Sequence, residues 1–194
     1  ILENAKEWNP DEDRKLNALY DLIAKKHSNE KILIFTQFAD TAYYLFEQLK
    51  NRKIKSLDCV TGDCENPTEF AQRFSPVSNE KPEIKGSENE LRVLITTDVL
   101  SEGQNLQDGH IILNYDLPWA IIRLIQRAGR VDRIGQKSDE ILCYSFLPED
   151  GVEKVIKLRQ RLKERIKQNA EVVGSDETFF DGDPINIHDL YSEK

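Results

Sequence analysis

Four short apolar runs and one run of mixed apolar and polar residues, at 54–60, are spaced along this chain, and amphipathic stretches separate them. The runs predict buried strands, because short apolar segments bounded by turn residues are typical of strands covered on both faces. They cover residues 31–36, 54–60, 91–97, 110–115 and 140–147. The amphipathic stretches carry apolar residues at helical spacing and predict helices. They cover 16–23, 41–51, a short piece after Pro67, 121–125 and a long piece at 152–172.

The order of these elements predicts the fold class. Strands that alternate with helices form an α/β fold with a mostly parallel sheet and helices on both faces. Residues 75–90 interrupt the alternation with two prolines and a glycine, which predicts a mobile loop. The predicted organisation is a leading segment and helix at 1–30, the sheet-bearing lobe at 31–150, a long bracing helix at 151–173, and an acidic, irregular tail at 174–194.

The composition narrows the class of protein. The 194 residues suffice for one well-buried domain, and the formal net charge of -8 means that nucleic acid would have to be bound by a local patch. The three cysteines show no zinc-site spacing and indicate structural thiols in a reducing compartment, so a cytoplasmic protein is expected. No apolar run reaches membrane-spanning length, so no membrane partner is predicted. The chain contains no methionine, and we expect it to be a piece of something longer.

An arginine-rich turn is the most informative stretch of the sequence. It reads Gln-Arg-Ala-Gly-Arg-Val-Asp-Arg-Ile-Gly-Gln over residues 126–136. Arg130 and Arg133 stand three apart, and on a helical turn that spacing directs both guanidinium groups to the same side. Guanidinium groups bind phosphate with two parallel hydrogen bonds, so the pair is a candidate phosphate site. A solvated basic helix end is the alternative.

A second candidate site follows the third predicted strand, at 96–106. Ligands of open α/β sheets collect beyond the carboxyl ends of strands, so the position suits a site. Thr96, Thr97 and Asn105 offer hydroxyl and amide groups, and Gly103 permits close approach of a backbone. Asp98 and Glu102 are predicted to hold this loop and the arginines in place. A polar loop without a ligand is the alternative.

The arginine turn resembles motif VI of superfamily 2 helicases, in the form Gln-x-x-Gly-Arg-x-x-Arg. Its continuation Ile-Gly-Gln at 134–136 is similar to the Snf2 branch of double-stranded DNA translocases, and Asp132 resembles the bacterial RapA-like members, which implies a bacterial protein. The resemblance implies a RecA-like three-layer sandwich, the helicase C-terminal domain of the P-loop NTPase class. It also implies that Arg130 and Arg133 complete the site of ATP hydrolysis, and that Gln126 orients the γ-phosphate or the attacking water.

Other stretches resemble further family motifs. Residues 96–106 look like motif V, which implies that Gly103 and Asn105 contact nucleotide or its ribose and that Thr96, with Thr97, lies near a nucleic-acid phosphate. Gln37 resembles the motif IV region near the DNA backbone, although a hydrogen bond within the domain is equally consistent. Gly62 resembles a position where phosphate approaches backbone amides. The segment at 114–119 also resembles the family, but Ala120 departs from the usual Asn-Pro continuation.

Two sites that a complete motor requires are missing from the sequence. It has no phosphate-binding loop and no acidic magnesium motif, so ATP and Mg²⁺ would be held mainly by an absent N-terminal RecA-like lobe. The chain alone is therefore expected not to hydrolyse ATP. The expected partners are that lobe and double-stranded DNA, and RNA polymerase or another protein is a further candidate. The alternatives are a degenerate scaffold that only binds nucleic acid or protein, and an RNA helicase lobe.

Overall fold

A computed structural model describes residues 9–101, 104–118 and 122–146 of the chain. The predicted helix at 151–173 and the predicted tail at 174–194 lie outside these ranges. The strands are β1 (Ile32–Phe35), β2 (Leu57–Val60), β3 (Val93–Thr96), β4 (Ile111–Asn114) and β5 (Leu142–Ser145). The α-helices are α1 (Arg14–Asp21), α2 (Ala39–Asn51), α3 (Pro67–Phe74) and α4 (Ile122–Ala128).

The five strands form one parallel sheet in the order β2-β3-β1-β4-β5. The central strand β1 pairs with β3 on one side and β4 on the other, and Leu33 stands opposite Leu94 and Ile112. The predicted α/β class and all five predicted strands are confirmed. The sheet is parallel throughout its described length, where a mostly parallel sheet was expected.

Alternation along β1 divides the core into two layers. Ile32 and Ile34 face one side and pack with apolar residues of α1 and α2. Leu33 and Phe35 face the other side and pack with residues of α3 and α4. Successive residues of a strand point to opposite faces, so one fully buried strand serves both layers. Helices therefore cover both faces of the sheet, as predicted for a three-layer sandwich.

The ends of the elements differ from the sequence prediction in two places. Asp13 caps α1, and its carboxylate accepts from the backbone N–H of Leu16 at 3.0 Å. The helix α2 begins at Ala39, two residues before the predicted start at residue 41, so Asp40 lies in its first turn. The predicted start of β2 at residue 54 is too early. Lys53 and Ser56 adopt positive φ angles of 63° and 51°, which keeps the chain in a turn until the strand begins.

Within the described ranges, no helix combines the length and the apolar character that crossing a bilayer requires.

A cluster of titratable side chains lies before β1 and β4, at the amino ends of the strands. The carboxylate of Glu30 contacts Nδ1 of His27 at 2.6 Å and Nε2 of His110 at 3.1 Å. The ring of His27 is buried, and its Nε2 lies 2.9 Å from the hydroxyl of Tyr144 in β5. The hydrogen bond from His27 lowers the pKa of Glu30 below its ordinary value, and the charge of His110 acts in the same direction.

This lowered pKa predicts a pH-dependent contribution to stability. A carboxylate whose pKa is lower in the folded state stabilises the fold above its unfolded pKa, and the contribution is lost as pH falls through the folded pKa. Glu30→Gln should therefore reduce the free energy of unfolding at about pH 6 and have progressively less effect towards about pH 3. Urea unfolding at both pH values measures this, with the exposed Glu47→Gln of α2 as control. An equal loss at both pH values would contradict the assignment.

Candidate functional site

The residues predicted to contact nucleic acid lie at the carboxyl ends of three neighbouring strands. Gln37 follows β1, Gly62 follows β2, and Thr96 and Thr97 end β3 and continue from it. The backbone N–H of Thr97 donates to the carbonyl of Val60 at 3.3 Å, which joins two of these strand ends. Because the strands are parallel and adjacent, the four residues share one edge of the sheet.

Their side chains have different surroundings. Gly62 is exposed, and a Cβ placed there would meet nothing within 4 Å. Thr96 is fully buried, and its hydroxyl donates to the carbonyl of Thr97 at 2.7 Å. Gln37 is half-buried, and its Nε2 donates to the carbonyl of Leu117 at 2.7 Å. The hydrogen bond within the domain that was the alternative for Gln37 is thus present, and contact of these four residues with nucleic acid stays a prediction.

Asp116, which the sequence did not single out, organises this edge from the end of β4. Its carboxylate accepts from the hydroxyl of Thr36 and lies 3.5 Å from the backbone N of Gln37. It also accepts from Nζ of Lys15 in α1 at 3.3 Å, and the same Nζ lies 3.8 Å from the ring centroid of Tyr115. Burial lowers the pKa of Lys15, while Asp116 opposes that effect. Asp116 therefore ties α1 to the turn that carries Gln37.

The arginine turn begins with Gln126 in the last turn of α4 and continues beyond the end of the helix at Ala128. Arg130 and Arg133 therefore lie beyond the helix, in successive turns closed by backbone bonds such as Arg130 N to Arg127 O at 3.2 Å. Arg133 is exposed, and its Nη1 donates to Oδ1 of Asn105 at 2.7 Å. Arg130 is half-buried and Gln126 is exposed on α4. The two predicted nucleotide-contacting residues Arg133 and Asn105 are thus brought together, while Gly103 lies outside the described residues.

The loop at 104–109 and the arginine turn are joined by further bonds. The backbone N–H of Leu106 donates to the carbonyl of Arg130 at 3.3 Å, and Nε2 of Gln107 donates to the carbonyl of Ile134 at 3.4 Å. Nε2 of Gln136 donates to the carbonyls of Gly109 and Val131 at 2.9 and 3.0 Å. The loop and the turn therefore form one structural unit, although their sequences are separated.

A buried arginine connects this unit to the strand ends. Arg127 is fully buried, its Nε donates to Asp98 at 2.8 Å, and its Nη1 donates to Oδ1 of Asn114 at 2.9 Å. Its guanidinium also lies 4.9 Å from the ring centroid of Phe35. Asp98 directly follows Thr97 and accepts a second bond from Arg123 at 2.8 Å. Asp98 thus holds α4 against the carboxyl ends of β3 and β4. The sequence pointed to Asp98 but not to Asn114.

The donors of the arginine turn suit a polyphosphate. A guanidinium group offers five N–H donors, and the bond from Arg133 to Asn105 uses one of them. The exposed position of Arg133 leaves the group accessible to an anion outside the domain. Among the described residues, no group of three or more His, Cys, Asp or Glu side chains is placed to hold a metal ion. This surface therefore fits phosphate oxygens by its own chemistry.

Comparison with known proteins places these motifs in a family. The family model described as "Helicase conserved C-terminal domain" matches residues 14–135. The chain is 32% identical over 164 residues to the uncharacterized ATP-dependent helicase YqhH of Bacillus subtilis, covering 84% of this chain and 26% of that protein. It is 33% identical over 140 residues to the RNA polymerase-associated protein RapA of Vibrio cholerae, covering 71% of this chain and 13% of that protein. The resemblance to RapA-like proteins is thus confirmed.

An RNA helicase is also among the relatives. The probable ATP-dependent RNA helicase ddx51 of Dictyostelium discoideum is 30% identical over 124 residues, covering 62% of this chain and 21% of that protein. The chain therefore spans a minor part of the length of each of these three relatives.

Solved structures show the same fold. The C-terminal part of the Fun30 ATPase domain matches with a TM-score of 0.62 and 18% identity, covering 83% of this chain and 49% of that one. The C-terminal domain of the DEAD-box protein Dbp5 matches with a TM-score of 0.54 and 24% identity, covering 77% and 78%. The predicted RecA-like architecture is confirmed. The chain belongs to the helicase conserved C-terminal domain family, the second RecA-like lobe of superfamily 2 helicases.

Proposed function

We propose that this chain is the C-terminal lobe of an ATP-dependent double-stranded DNA translocase of the Snf2/RapA-like kind. In this proposal Arg130 and Arg133 act on ATP held by an N-terminal RecA-like lobe, which also supplies the Mg²⁺ ligands. The single observation that carries the proposal is the joining of the arginine turn to Asn105, which presents a guanidinium group and a predicted nucleotide contact on one surface.

The chemistry required of the arginines is electrostatic. ATP supplies the phosphoryl group, and negative charge spreads over its equatorial oxygens in the transition state. Arg130 and Arg133 would bind those oxygens across the cleft, and an arginine used in this way contributes about 10³–10⁵ in rate. Gln126, exposed one turn earlier on α4, would orient the γ-phosphate or the attacking water. Closure of the two lobes would bring these side chains to the phosphates, and reopening would permit translocation.

The buried Arg127 gives a physical reason why nucleotide and nucleic acid would be coupled in this lobe. The predicted nucleic-acid residues Thr96 and Thr97 immediately precede Asp98, and Asp98 is bonded to Arg127, three residues before Arg130. A displacement of the strand ends by bound DNA would therefore be transmitted to the arginine turn through the ion pair of the half-buried Asp98 with the buried Arg127. The hydrogen bond from Thr36 to Asp116 and the bond from Gln37 to the carbonyl of Leu117 would hold Gln37 at the same carboxyl ends of the strands.

The choice of double-stranded DNA rests on the Ile-Gly-Gln continuation of the arginine turn and on the RapA relatives. RapA is named as RNA polymerase-associated, and RNA polymerase is accordingly a candidate partner. An RNA helicase lobe is the second candidate function, because the relative ddx51 is named as an RNA helicase. Cytoplasmic location in a bacterium is part of the proposal, in keeping with the bacterial relatives.

A reconstitution experiment tests the proposed function. The chain alone should not hydrolyse ATP, and hydrolysis should appear when it is joined to an N-terminal lobe that carries the phosphate-binding loop. We expect duplex DNA to stimulate the reconstituted ATPase more than duplex or single-stranded RNA, measured by phosphate release at low salt. Greater stimulation by RNA would support the RNA helicase alternative. Binding of DNA without any hydrolysis would support the alternative of a scaffold.

A further inference from the structure

The turn that follows α3 is fastened to the loop that carries Asn105. The side-chain amide of Asn79 donates to the carbonyl of Ser75 at 2.7 Å and to the carbonyl of Asn105 at 2.7 Å. An asparagine amide has two donor hydrogens, so these two short bonds use both of them. The carbonyl of Ala71 lies farther from the same nitrogen, at 3.3 Å. Asn79 therefore joins the end of α3 to the backbone of Asn105.

Asp108 fastens the same two segments from the other side. Its carboxylate accepts from the backbone N–H of Val77 at 2.7 Å and of Ser78 at 3.0 Å, and also from the hydroxyl of Ser78. A carboxylate that accepts two backbone N–H groups fixes the orientation of that peptide segment. The carbonyl of Ser78 is thereby held facing Asn105.

The fixed carbonyl determines which way the amide of Asn105 points. Nδ2 of Asn105 donates to the carbonyl of Ser78 at 3.2 Å, and its Oδ1 accepts from Nη1 of Arg133 at 2.7 Å. The opposite orientation would place an N–H group against the guanidinium and an oxygen against the carbonyl, and both contacts are repulsive. The turn at Ser78 and Asn79 therefore sets the orientation of the Asn105 amide, and its oxygen faces Arg133 as an acceptor.

We propose that Asn79 is a positioning residue for Arg133, acting through Asn105. An exposed arginine has many rotamers, and a fixed acceptor restricts its guanidinium to a small part of that range. Asn79 lies in the segment at 75–90, which belongs to none of the motifs identified in the sequence. An effect of Asn79 on ATP hydrolysis rests on the proposed function, in which Arg133 contacts ATP. The restriction of the Arg133 side chain by Asn79 is independent of that function.

The restriction can be measured on the chain itself by phenylglyoxal, which modifies accessible arginines. In Asn79→Ala we expect Arg133 to react about fivefold faster, the factor that corresponds to loss of one hydrogen bond. Peptide mass spectrometry measures the rate at each arginine, and unchanged rates at Arg52 and Arg73 exclude general loosening. The control is Asn89→Ala, an exposed asparagine of the same segment whose hydrogen bonds run through its backbone.

A second variant keeps the proposal testable if Asn79→Ala does not fold. Asn105→Ala removes the acceptor itself but keeps the backbone bond to Asn79, and it should raise the reactivity of Arg133 equally. An unchanged rate at Arg133 in a folded Asn79→Ala chain, or in Asn105→Ala, would overturn the proposal.

The consequence for hydrolysis is tested with both lobes present. Asn79→Ala should lower kcat about fivefold with little change in KM, and it should have no further effect in an Arg133→Ala background. Equal losses in both backgrounds would show that Asn79 acts by another route and would overturn the proposal. If Arg133→Ala leaves the ATPase unchanged while Asn79→Ala still raises the reactivity of Arg133, the proposed function fails and the positioning by Asn79 stands.

Discussion

Arg133→Ala should reduce ATP hydrolysis by the protein containing both lobes about 10³-fold or more, because a guanidinium group that meets transferring phosphate contributes that much. The same variant should leave the free energy of unfolding of this chain nearly unchanged. Arg133 is exposed, and its bond to Asn105 is at the surface, where such a bond adds roughly 1 kcal/mol or less. Single-turnover hydrolysis and urea unfolding measure the two quantities separately.

An exposed cation just beyond the arginine turn provides the control for Arg133. Lys137→Ala removes an exposed positive charge four residues later, outside the Gln-x-x-Gly-Arg-x-x-Arg motif. If general positive potential drives hydrolysis, the two variants should lose similar activity. A large loss confined to Arg133→Ala supports a specific phosphate contact, and full activity of Arg133→Ala would remove the basis of the proposed function.

The second large effect concerns stability. Asp98→Ala should lower the free energy of unfolding by about 3 kcal/mol, because it leaves the buried guanidinium of Arg127 without its charged partner. Asp98 accepts from Nε of Arg127 at 2.8 Å, and Arg127 is fully buried. Removal of one member of a buried pair costs more than the loss of a surface pair, since the remaining charge has no water to solvate it. Urea unfolding followed by circular dichroism gives the value.

Two further variants identify the cause of that loss. Asp98→Asn keeps an oxygen that can accept from Arg127 and should recover part of the stability lost in Asp98→Ala. Asp132→Ala removes an exposed aspartate from the arginine turn and should change the free energy of unfolding by about 0.5 kcal/mol or less. Equal losses of unfolding free energy in all three variants would show that the ion pair between Asp98 and Arg127 does not stabilise the fold.

Much of the fold was predictable because its signals are local. Four of the five strands lie in apolar runs, β2 lies in a segment of mixed apolar and polar residues, and the helices between them show helical spacing, so the α/β class follows from the order of elements along the chain. The boundaries were less accurate. The start of β2 depends on the positive φ angles of Lys53 and Ser56, neither of which is a glycine that would have marked the turn.

The site was predictable only in part. The sequence singles out Arg130, Arg133 and Asn105 because they stand in the family motifs, and their contact with nucleotide stays a prediction. The structure adds Asn79, which lies in an unremarkable polar loop with no local signal of a role. The predicted contacts of Thr96 and Gln37 with nucleic acid stay predictions, and both side chains make hydrogen bonds within the domain.

The order of strands and helices along the chain, the resemblance to the helicase C-terminal family and the arginine turn are all predictable from the sequence. These depend on periodicity and on residues that are neighbours in the chain. The groups that hold the turn in place, in contrast, are seen only in the folded structure. Arg127 reaches Asp98 across 29 positions, Asn79 reaches Asn105 across 26, and Arg133 reaches Asn105 across 28. Such contacts depend on how the strand ends and loops pack together and on the direction in which each amide points. No local sequence pattern predicts either of these.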